Sequence, residues 1–209
     1  MKQVICVSQA KGGACKTTTA INLVGALIEL GKRAVLFDTD YQKPDASALA
    51  SQDNSKIDFV VTCKNQKNPS GEINQLKEAY DYIVCDTSPN YIDLALKCVM
   101  LADFVILPAK AAFFDEINLE ESISVPVCAN KNYMLLGCDV DIRTNLGKDF
   151  LKNLRETGKA FKTYISSRIA MREFGYYGKW IGDYQPHSDN HKEFNALATE
   201  VVQYFQGRI

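Results

Sequence analysis

The segment 8–18, S-Q-A-K-G-G-A-C-K-T-T, combines two adjacent glycines with two lysines and two threonines. It follows a short apolar run, residues 4–8, and precedes residues whose apolar positions have helical spacing. Successive backbone N–H groups in such a loop can surround a phosphate, and the N-terminus of the helix adds partial positive charge. Lys16 can then contact the terminal phosphates of a nucleotide, while the Thr17 hydroxyl can coordinate Mg²⁺. The segment therefore predicts a phosphate-binding loop.

This loop departs from the common pattern G-x-x-x-x-G-K-[ST] at both glycine positions, which fall on Ala10 and Cys15. Glycine before the lysine allows close backbone approach and a positive φ, so the Cβ and sulfur of Cys15 would crowd a phosphate. A strain of about 1–3 kcal/mol that arose only on binding would weaken affinity by roughly 5- to 150-fold. Lys16 and the helix N-terminus would also favour the thiolate form of Cys15.

Three aspartates follow two buried strands at the point where each strand ends. Asp38 and Asp40 come after the apolar run 34–37, and Asp86 comes after the run 82–85. Because the carboxyl ends of parallel strands meet at one edge of a sheet, these side chains share a crevice with the loop after the first strand. They can coordinate Mg²⁺ and position an attacking water, although each aspartate taken alone is equally compatible with a helix N-cap. Their convergence with the loop favours the metal and water roles.

The elements that position these residues alternate between strands and helices. The apolar patterns predict strands at 4–8, 34–37, 82–85, 104–107, 134–136 and 163–165, and helices at 17–30, 73–80, 92–101, 116–123, 148–159 and 194–205. This alternation implies right-handed crossovers and a mainly parallel sheet, and the continuous apolar strands indicate helices on both faces. Pro108 closes the fourth strand, and the polar stretch 51–72 is interpreted as a surface excursion. We therefore predict a single three-layer α/β domain over residues 1–209.

Composition excludes several classes of protein. The 209 residues are 46% hydrophobic, 23% charged and 10% aromatic, which is typical of a globular rather than a disordered chain. The most apolar stretch, 94–109, is interrupted by Lys97, Asp103 and Pro108 and is too broken to span a membrane. The seven cysteines form no C-x-x-C pair and no signal peptide precedes the first strand, so we expect reduced thiols in a cytoplasmic protein. His187 and His191 are expected at the surface.

Charge is unevenly distributed along the chain. Residues 148–209 contain ten Lys and Arg against seven Asp and Glu, although the net charge of the whole chain is −1. The C-terminal third is therefore the candidate face for a polyanion, with a solvated basic face as the alternative interpretation. The basic residues concerned are Lys148, Lys152, Arg155, Lys159, Lys162, Arg168, Arg172 and Lys179.

Three segments together resemble the ParA/MinD family of P-loop ATPases. Residues 11–18, K-G-G-A-C-K-T-T, resemble its deviant Walker A box, K-G-G-x-G-K-T-T. Residues 38–42, D-T-D-Y-Q, are similar to its D-x-D-P-Q segment, and residues 82–89, Y-I-V-C-D-T-S-P, to its Walker B strand. Further similarity at 143–146, 167–170 and 185–200 extends the resemblance over nearly the whole chain. It is strongest to the short ParA partition ATPases and implies the P-loop NTPase fold.

The resemblance implies a role for each residue of these motifs. Lys11 is the signature lysine that reaches the partner's nucleotide across a dimer interface, and Asp40 positions the attacking water, so these two residues are catalytic. Mg²⁺ is held by Thr17 and supported by Asp38 and Asp86. The residues that bind ATP or ADP are Lys11, Gly12, Gly13, Ala14, Cys15, Lys16, Thr17 and Thr18.

The resemblance also implies partners. ATP closes a sandwich homodimer that binds DNA non-specifically on the nucleoid, and a ParB-like centromere-binding protein stimulates the slow hydrolysis that releases it. Plasmid or chromosome segregation is therefore the expected function. No stable membrane association is expected, because the C-terminal segment 198–209 contains one arginine and its apolar side is expected to pack on the core.

Several alternatives remain at the level of sequence. Cys15 is compatible with a scaffold of the same fold whose ATPase is weakened or lost, and a MinD-like membrane-associated positioning ATPase is a second alternative. An iron–sulfur protein that uses Cys98 and Cys128, or a small metabolic P-loop enzyme, fits the motifs less well. Cys138 and Asp139 stand where the family often has Asn-Arg near the base, so selectivity for adenine over guanine also remains open.

Overall fold

A six-stranded parallel sheet forms the centre of the protein, seen in a computed structural model that describes residues 2–41, 43–89, 93–111 and 115–208. The strands run in the order β3-β2-β4-β1-β5-β6, and every described pairing between them is parallel. Their bounds are β1 Gln3–Val7, β2 Ala34–Asp38, β3 Val60–Thr62, β4 Tyr82–Asp86, β5 Phe104–Lys110 and β6 Tyr133–Cys138. The parallel sheet predicted from the alternating pattern is confirmed.

Helices connect the strands and cover both faces of the sheet, as the continuous apolar strands predict. Their bounds are α1 Lys16–Glu29, α2 Asp45–Ala50, α3 Ser70–Ala79, α4 Asp93–Leu101, α5 Asp115–Cys128, α6 Asn145–Glu156, α7 Ala170–Glu173, a 3₁₀ turn Phe174–Tyr177, α8 Ile181–Tyr184 and α9 Asp189–Phe205. Alternate strand residues face opposite layers: Ile5 and Val7 pack in one core with α1 and α9, and Val4 and Cys6 pack in the other with α3 and α4. The three-layer α/β prediction is therefore confirmed.

The fourth predicted strand does not end at Pro108. The strand β5 continues to Lys110 and pairs with β6 as far as Cys138. Proline is tolerated there because β1 has already ended beside it, so no ladder hydrogen bond is lost on the side to which its missing N–H would point. This extension matters because it carries Lys110 to the carboxyl edge of the sheet.

Three further predictions about elements were wrong. Residues 51–72 are not a plain surface excursion, since they contain β3 and the start of α3. Residues 163–165 form no strand, although the Ile165 N–H donates to the Gly137 carbonyl of β6 at 2.7 Å, and the bridges in this region are isolated ones at Ala160 and Ser166. The basic helix ends at Glu156 rather than at residue 159, because Gly158 follows in the left-handed conformation (φ +66°) that stops a helix.

The C-terminal helix α9 packs its apolar side on the core, as expected from the sequence. Its Tyr204 and Phe205 rings lie 4.3 and 6.0 Å from the Phe104 ring. His187 is exposed, but the surface location expected for His191 was wrong: its ring is buried, accepts the His187 N–H at Nδ1 and lies with Nε2 2.6 Å from Glu29 Oε2. Within the described ranges, no helix combines the length and apolar character needed to cross a membrane.

Candidate functional site

A cavity of about 580 Å³ opens at the carboxyl edge of the sheet, where parallel α/β folds place their ligands. The loop after β1 forms one wall, with the residues from Gly12 to Thr19. The facing walls include Asp40, Lys110, Cys138, Asp139, Ser166, Arg172 and Phe194. The structure thus gathers the predicted loop residues and Asp40 around one cavity, whereas Lys11, Asp38 and Asp86 are not among its lining residues.

The backbone of the loop adopts the left-handed conformation twice before the helix α1 begins. Gly13 has φ +74°, which glycine adopts without strain. Cys15, directly before the first helical residue, has φ 63° and ψ 22°. A residue with a Cβ is strained in this region, so the position that departs from the family pattern is also the strained one.

The side chain of Lys16 lies inside the loop and is only 7% exposed. Its Nζ donates a hydrogen bond of 3.2 Å to the Lys11 carbonyl. Burial lowers the pKa of this ammonium, and the nearby carboxylates of Asp86 and Asp40 oppose that shift. A buried cation at the opening of a helix is the group expected to contact a bound phosphate.

The strand register places Asp38 and Asp86 side by side, since they are paired residues of β2 and β4. The Asp38 carboxyl is fully engaged: Oδ1 accepts the Asp40 N–H at 3.1 Å, and Oδ2 accepts the backbone N–H and the hydroxyl of Ser47 at 2.9 and 2.6 Å. Asp38 therefore connects residues 38–40 to the first turn of α2. This contact corresponds to the helix-capping role considered for Asp38, because Ser47 lies in that turn, and the Mg²⁺ role stays a prediction.

Asp86 has the opposite environment, since it is 1% exposed and neither carboxyl oxygen has a partner with hydrogen-bond geometry among the described residues. Burial raises the pKa of this carboxyl to about 8; the Asp38 and Asp40 carboxyls add to the shift, while the nearby Thr17 hydroxyl and Lys16 ammonium oppose it. A buried, unsatisfied carboxyl beside a threonine hydroxyl fits a divalent cation, which would favour the ionised form. Mg²⁺ usually takes only one or two carboxylates from the protein and completes its shell with phosphate and water.

Asp40 lines the cavity and is half-buried. Its Oδ1 accepts hydrogen bonds from Ser88 Oγ at 2.9 Å and from the Lys43 N–H at 3.1 Å. These two donors fix the orientation of the carboxylate, which suits a group that must position a water. Ser88 was not singled out from the sequence, although it lies two residues after Asp86 at the end of the same strand.

The far side of the cavity joins a polar cluster to apolar side chains. The Asp139 carboxylate accepts from Ser167 Oγ at 2.6 Å and lies 3.6 Å from Lys110 Nζ. Apolar surface of the kind that packs against a nucleotide base is supplied by Ile165, Met171 and Phe194. Sequence reasoning missed Lys110 because it ended the strand at Pro108, yet the rule that located Asp38 and Asp86 at strand ends also applies to Lys110.

Several of the predicted basic residues are exposed on α6 and just after it. Lys148, Lys152 and Arg155 are exposed on α6, and Lys152 Nζ lies 3.9 Å from the Glu156 carboxylate. Lys159 lies after the helix with its Nζ 4.5 Å from the Tyr133 ring centroid.

The two cysteines considered for an iron–sulfur cluster lie in different environments: Cys98 is buried on α4, and Cys128 is exposed at the end of α5. The described ranges hold no cluster of three or more His, Cys, Asp or Glu that could bind a metal ion.

Comparison with known proteins agrees with this geometry. A family model described as "AAA domain" matches residues 2–68. The "Maintenance of carboxysome distribution protein A" of Gloeobacter kilaueensis is 34% identical over 170 residues, covering 78% of this chain and 76% of that protein. The "Chromosome-partitioning ATPase Soj" of Thermus thermophilus is 28% identical and covers 97% and 96% of the two chains.

The fold has close structural relatives as well. The septum site-determining protein MinD of Pyrococcus horikoshii, solved in complex with Mg-ADP, aligns with a TM-score of 0.77 at 18% identity, over 100% of this chain and 99% of that one. The loop, the two strand-end aspartates and these relatives together show that the chain belongs to the ParA/MinD family of P-loop ATPases.

Proposed function

We propose that the protein is a ParA-like partition ATPase that binds ATP and Mg²⁺ in the cavity behind the phosphate loop. The observation that carries this proposal is Asp86, a buried carboxyl beside Thr17 and Lys16 that has no hydrogen-bond partner among the described residues. Such a group costs folding free energy and is retained where a ligand satisfies it. The relative named as a chromosome-partitioning ATPase supports the cellular role in DNA segregation.

Different residues of the chain are proposed to bind the phosphates, the Mg²⁺ and the attacking water. The loop N–H groups and the Lys16 ammonium bind the phosphates, and Thr17 with Asp86 would hold Mg²⁺, while Asp38 positions the segment that carries Asp40. When bound, Mg²⁺ neutralises the charge that develops on the terminal phosphates. Asp40, held by Ser88, orients the attacking water. The base of the nucleotide is proposed to lie towards Asp139 and Phe194.

Assembly and location extend this proposal. ATP would close a homodimer in which Lys11 reaches the partner's nucleotide, and the dimer would bind DNA non-specifically through exposed basic residues such as those on α6. A ParB-like partner would stimulate hydrolysis and release the DNA. We propose a cytoplasmic protein that occupies the nucleoid when ATP is bound and makes no stable membrane contact, since the apolar side of α9 is packed on the core.

The phosphate site is tested by titrating ATP, ADP and GTP with Mg²⁺ into the parent protein and into Lys16→Ala by calorimetry. The variant removes a charged donor from a largely dehydrated loop and is expected to lose about 100-fold in affinity, or about 2.7 kcal/mol. Lys192→Ala, which removes an exposed lysine outside the cavity lining, is the matched control and should bind as the parent does. Equal ATP affinity in Lys16→Ala and the parent would place the nucleotide elsewhere.

A scaffold with weakened or lost hydrolysis is the second candidate, and the strained φ of Cys15 favours it. The two candidates differ in turnover rather than in binding. A protein that binds ATP and dimerises but releases no phosphate in the presence of DNA and its partner would be the scaffold. Phosphate release stimulated by the partner would support the ATPase.

A further inference from the structure

A pair of opposite charges lines the wall of the cavity that faces the phosphate loop. Lys110 ends β5, where it is the register partner of Cys138, and Asp139 follows β6 directly. The Lys110 ammonium lies 3.6 Å from Asp139 Oδ2, and the two side chains are 33% and 38% exposed. Both residues line the cavity. A ligand in the cavity can therefore reach both charges.

The backbone around Asp139 holds its carboxylate in one place. Asp139 has φ +55°, in the left-handed region. The next residue, Val140, donates its N–H to the Ile165 carbonyl at 3.0 Å, and its own carbonyl accepts the Ser167 N–H at 2.9 Å. The Ser167 hydroxyl in turn donates to Asp139 Oδ1 at 2.6 Å. Residues other than glycine that are held in this conformation cluster at ligand-binding sites, so this wall has the features of a binding surface.

The pair presents hydrogen-bond donors and acceptors side by side. An ammonium has three N–H donors, and a carboxylate has about four acceptor positions on its two oxygens. The Ser167 hydroxyl uses one of these acceptor positions, on Asp139 Oδ1, and the Lys110 ammonium faces Oδ2. Both carboxylate oxygens therefore keep the capacity to accept a hydrogen bond from a ligand.

Base selection at this wall rests on the proposed function. If the loop N–H groups and Lys16 bind the phosphates, the base extends across the cavity towards the facing wall. There Met171 and Phe194 supply apolar surface on which a base can pack. The polar edge of that base is then expected to face Lys110 and Asp139, which line the same cavity.

We propose that Lys110 and Asp139 select guanine over adenine, so that the protein takes GTP in preference to ATP. Along one edge guanine presents two acceptors, N7 and O6, followed by two donors, N1–H and the 2-amino group. The ammonium donates to O6, and the two carboxylate oxygens accept from N1–H and from the 2-amino group. The phosphate loop and the proposed partition role are the same for either nucleotide.

Adenine matches the charged pair less well than guanine does. The same edge of adenine presents the acceptor N7, one donor at the 6-amino group and the acceptor N1. A carboxylate that accepts from the 6-amino group therefore places its second oxygen beside the lone pair of a ring nitrogen, which repels it. Guanine gains one hydrogen bond to a charged group and avoids this repulsion. For charges that are partly exposed to water, we expect the difference to be about tenfold in affinity.

Calorimetry with GDP, ADP and IDP in the presence of Mg²⁺ tests base selection without interference from hydrolysis. We expect GDP to bind to the parent protein about tenfold more tightly than ADP. The base of IDP keeps O6 and N1–H but lacks the 2-amino group, so IDP should bind with an intermediate affinity. ADP that binds as tightly as GDP, or more tightly, would overturn the proposal.

Asp139→Asn should reverse the preference, with ADP bound more tightly than by the parent protein and GDP more weakly. The amide presents one acceptor and one donor, which match the 6-amino group and a neighbouring ring nitrogen of adenine. Asparagine tolerates a positive φ and keeps an acceptor for Ser167, so the wall should remain folded. A variant that merely loosened the wall would weaken both nucleotides. Asp53→Asn, the same change at an exposed residue outside the cavity lining, is the matched control and should keep the parent preference.

Lys110→Met provides a second variant, in which loss of the donor to O6 should weaken GDP binding more than ADP binding. A lysine that contacts phosphate would instead affect both nucleotides equally, so an equal loss would overturn its role in base selection. An unchanged preference in Asp139→Asn would overturn the role of Asp139. Tight binding of ADP without a preference for GDP would refute base selection alone, whereas failure of all three nucleotides to bind would contradict the proposed function as well.

Discussion

The burial of the Asp86 carboxyl opposes folding, although the proposed function gives this residue a role in holding Mg²⁺. It is buried with no described hydrogen-bond partner, and its pKa is raised to about 8 chiefly because burial disfavours the charge. The unfolded carboxyl ionises near pH 4, so the folded protein favours the protonated form. The stability that this protonated form contributes is fully present below about pH 4 and is lost as the pH rises to about 8.

Asp86→Asn should therefore stabilise the protein in the presence of a chelator and without nucleotide. We expect the free energy of unfolding of the variant to exceed that of the parent by about 1–3 kcal/mol at pH 8, with a smaller difference at pH 5. Urea denaturation at both pH values measures this, and the variant should also lose any Mg²⁺-dependent gain in ATP affinity. Asp38→Asn is the matched control and should destabilise, because its amide N–H₂ replaces an acceptor of the Ser47 bonds. A destabilised Asp86→Asn would refute this account.

The strain at Cys15 leads to a second prediction at the residue scale. Cys15 has φ 63°, so replacing it with glycine should relieve about 1–3 kcal/mol of backbone strain. The greater freedom of glycine in the unfolded chain offsets about 1 kcal/mol of this gain. Cys15→Gly should raise ATP affinity if the loop adopts this conformation on binding, and should otherwise raise the free energy of unfolding. Calorimetry and urea denaturation measure the two quantities.

Cys15→Ala separates the two effects of this substitution, because it removes the sulfur but keeps the Cβ and its strain. If Cys15→Ala matches Cys15→Gly in both measurements, crowding by sulfur rather than backbone strain is responsible. If neither variant differs from the parent, the loop accommodates cysteine at position 15 with no loss of ATP affinity or of folding free energy.

At the scale of elements, α6 shows how a helix can be amphipathic without being uniformly basic. Leu151 and Leu154 are buried while Lys148, Lys152 and Arg155 are exposed. Thr144 caps its start by accepting the Gly147 N–H, which positions the helix independently of its charges. Charge reversal on the exposed face should therefore leave the fold intact.

Reversing Arg155 and Lys159 to Glu should weaken DNA binding without affecting ATP affinity. Phosphate contacts carry no sequence information, so the loss should be equal for unrelated DNA sequences, and binding by the parent should fall steeply with salt. Fluorescence anisotropy at several salt concentrations measures both effects. The control reverses Lys64 and Lys67, which are exposed and change net charge equally. A similar loss of DNA affinity in both double variants would show that net charge, and not this surface, determines DNA binding.

At the scale of the whole molecule, the proposed nucleotide site lies within one chain, whereas the proposed role of Lys11 requires a second chain. This residue is half-buried in the loop, and its carbonyl accepts from Lys16 Nζ, yet it is not among the cavity-lining residues. A side-chain substitution leaves that carbonyl in place. Nucleotide binding and dimerisation should therefore be separable.

Lys11→Ala should bind ADP with the affinity of the parent but fail to dimerise with ATP and fail to hydrolyse it. Light scattering with ADP and with ATP measures the mass of each assembly, and Lys16→Ala, which should not bind either nucleotide, is the negative control. A parent protein that remains monomeric when saturated with ATP would remove the basis for a sandwich dimer.

The sequence by itself determined the parallel sheet, the helices on both faces, the position of the phosphate loop and the aspartates at the ends of β2 and β4. These features were predictable because they depend on local patterns: continuous apolar runs, helical spacing and the residue types of a strand-to-helix turn. The same local signals misplaced the end of β5, because whether a proline is tolerated in a strand depends on which neighbour lies beside it.

Only the tertiary structure decided which of these residues touch. Ser47 donates to Asp38, whereas no residue in the described part of the chain donates to Asp86, a difference that two similar strand ends do not reveal. The Cys138 thiol meets α1 at Thr19, 119 residues earlier in the chain, and no spacing rule relates positions so far apart. Burial and hydrogen bonding then determine the charge state of each group, and both follow from packing between distant segments rather than from local sequence.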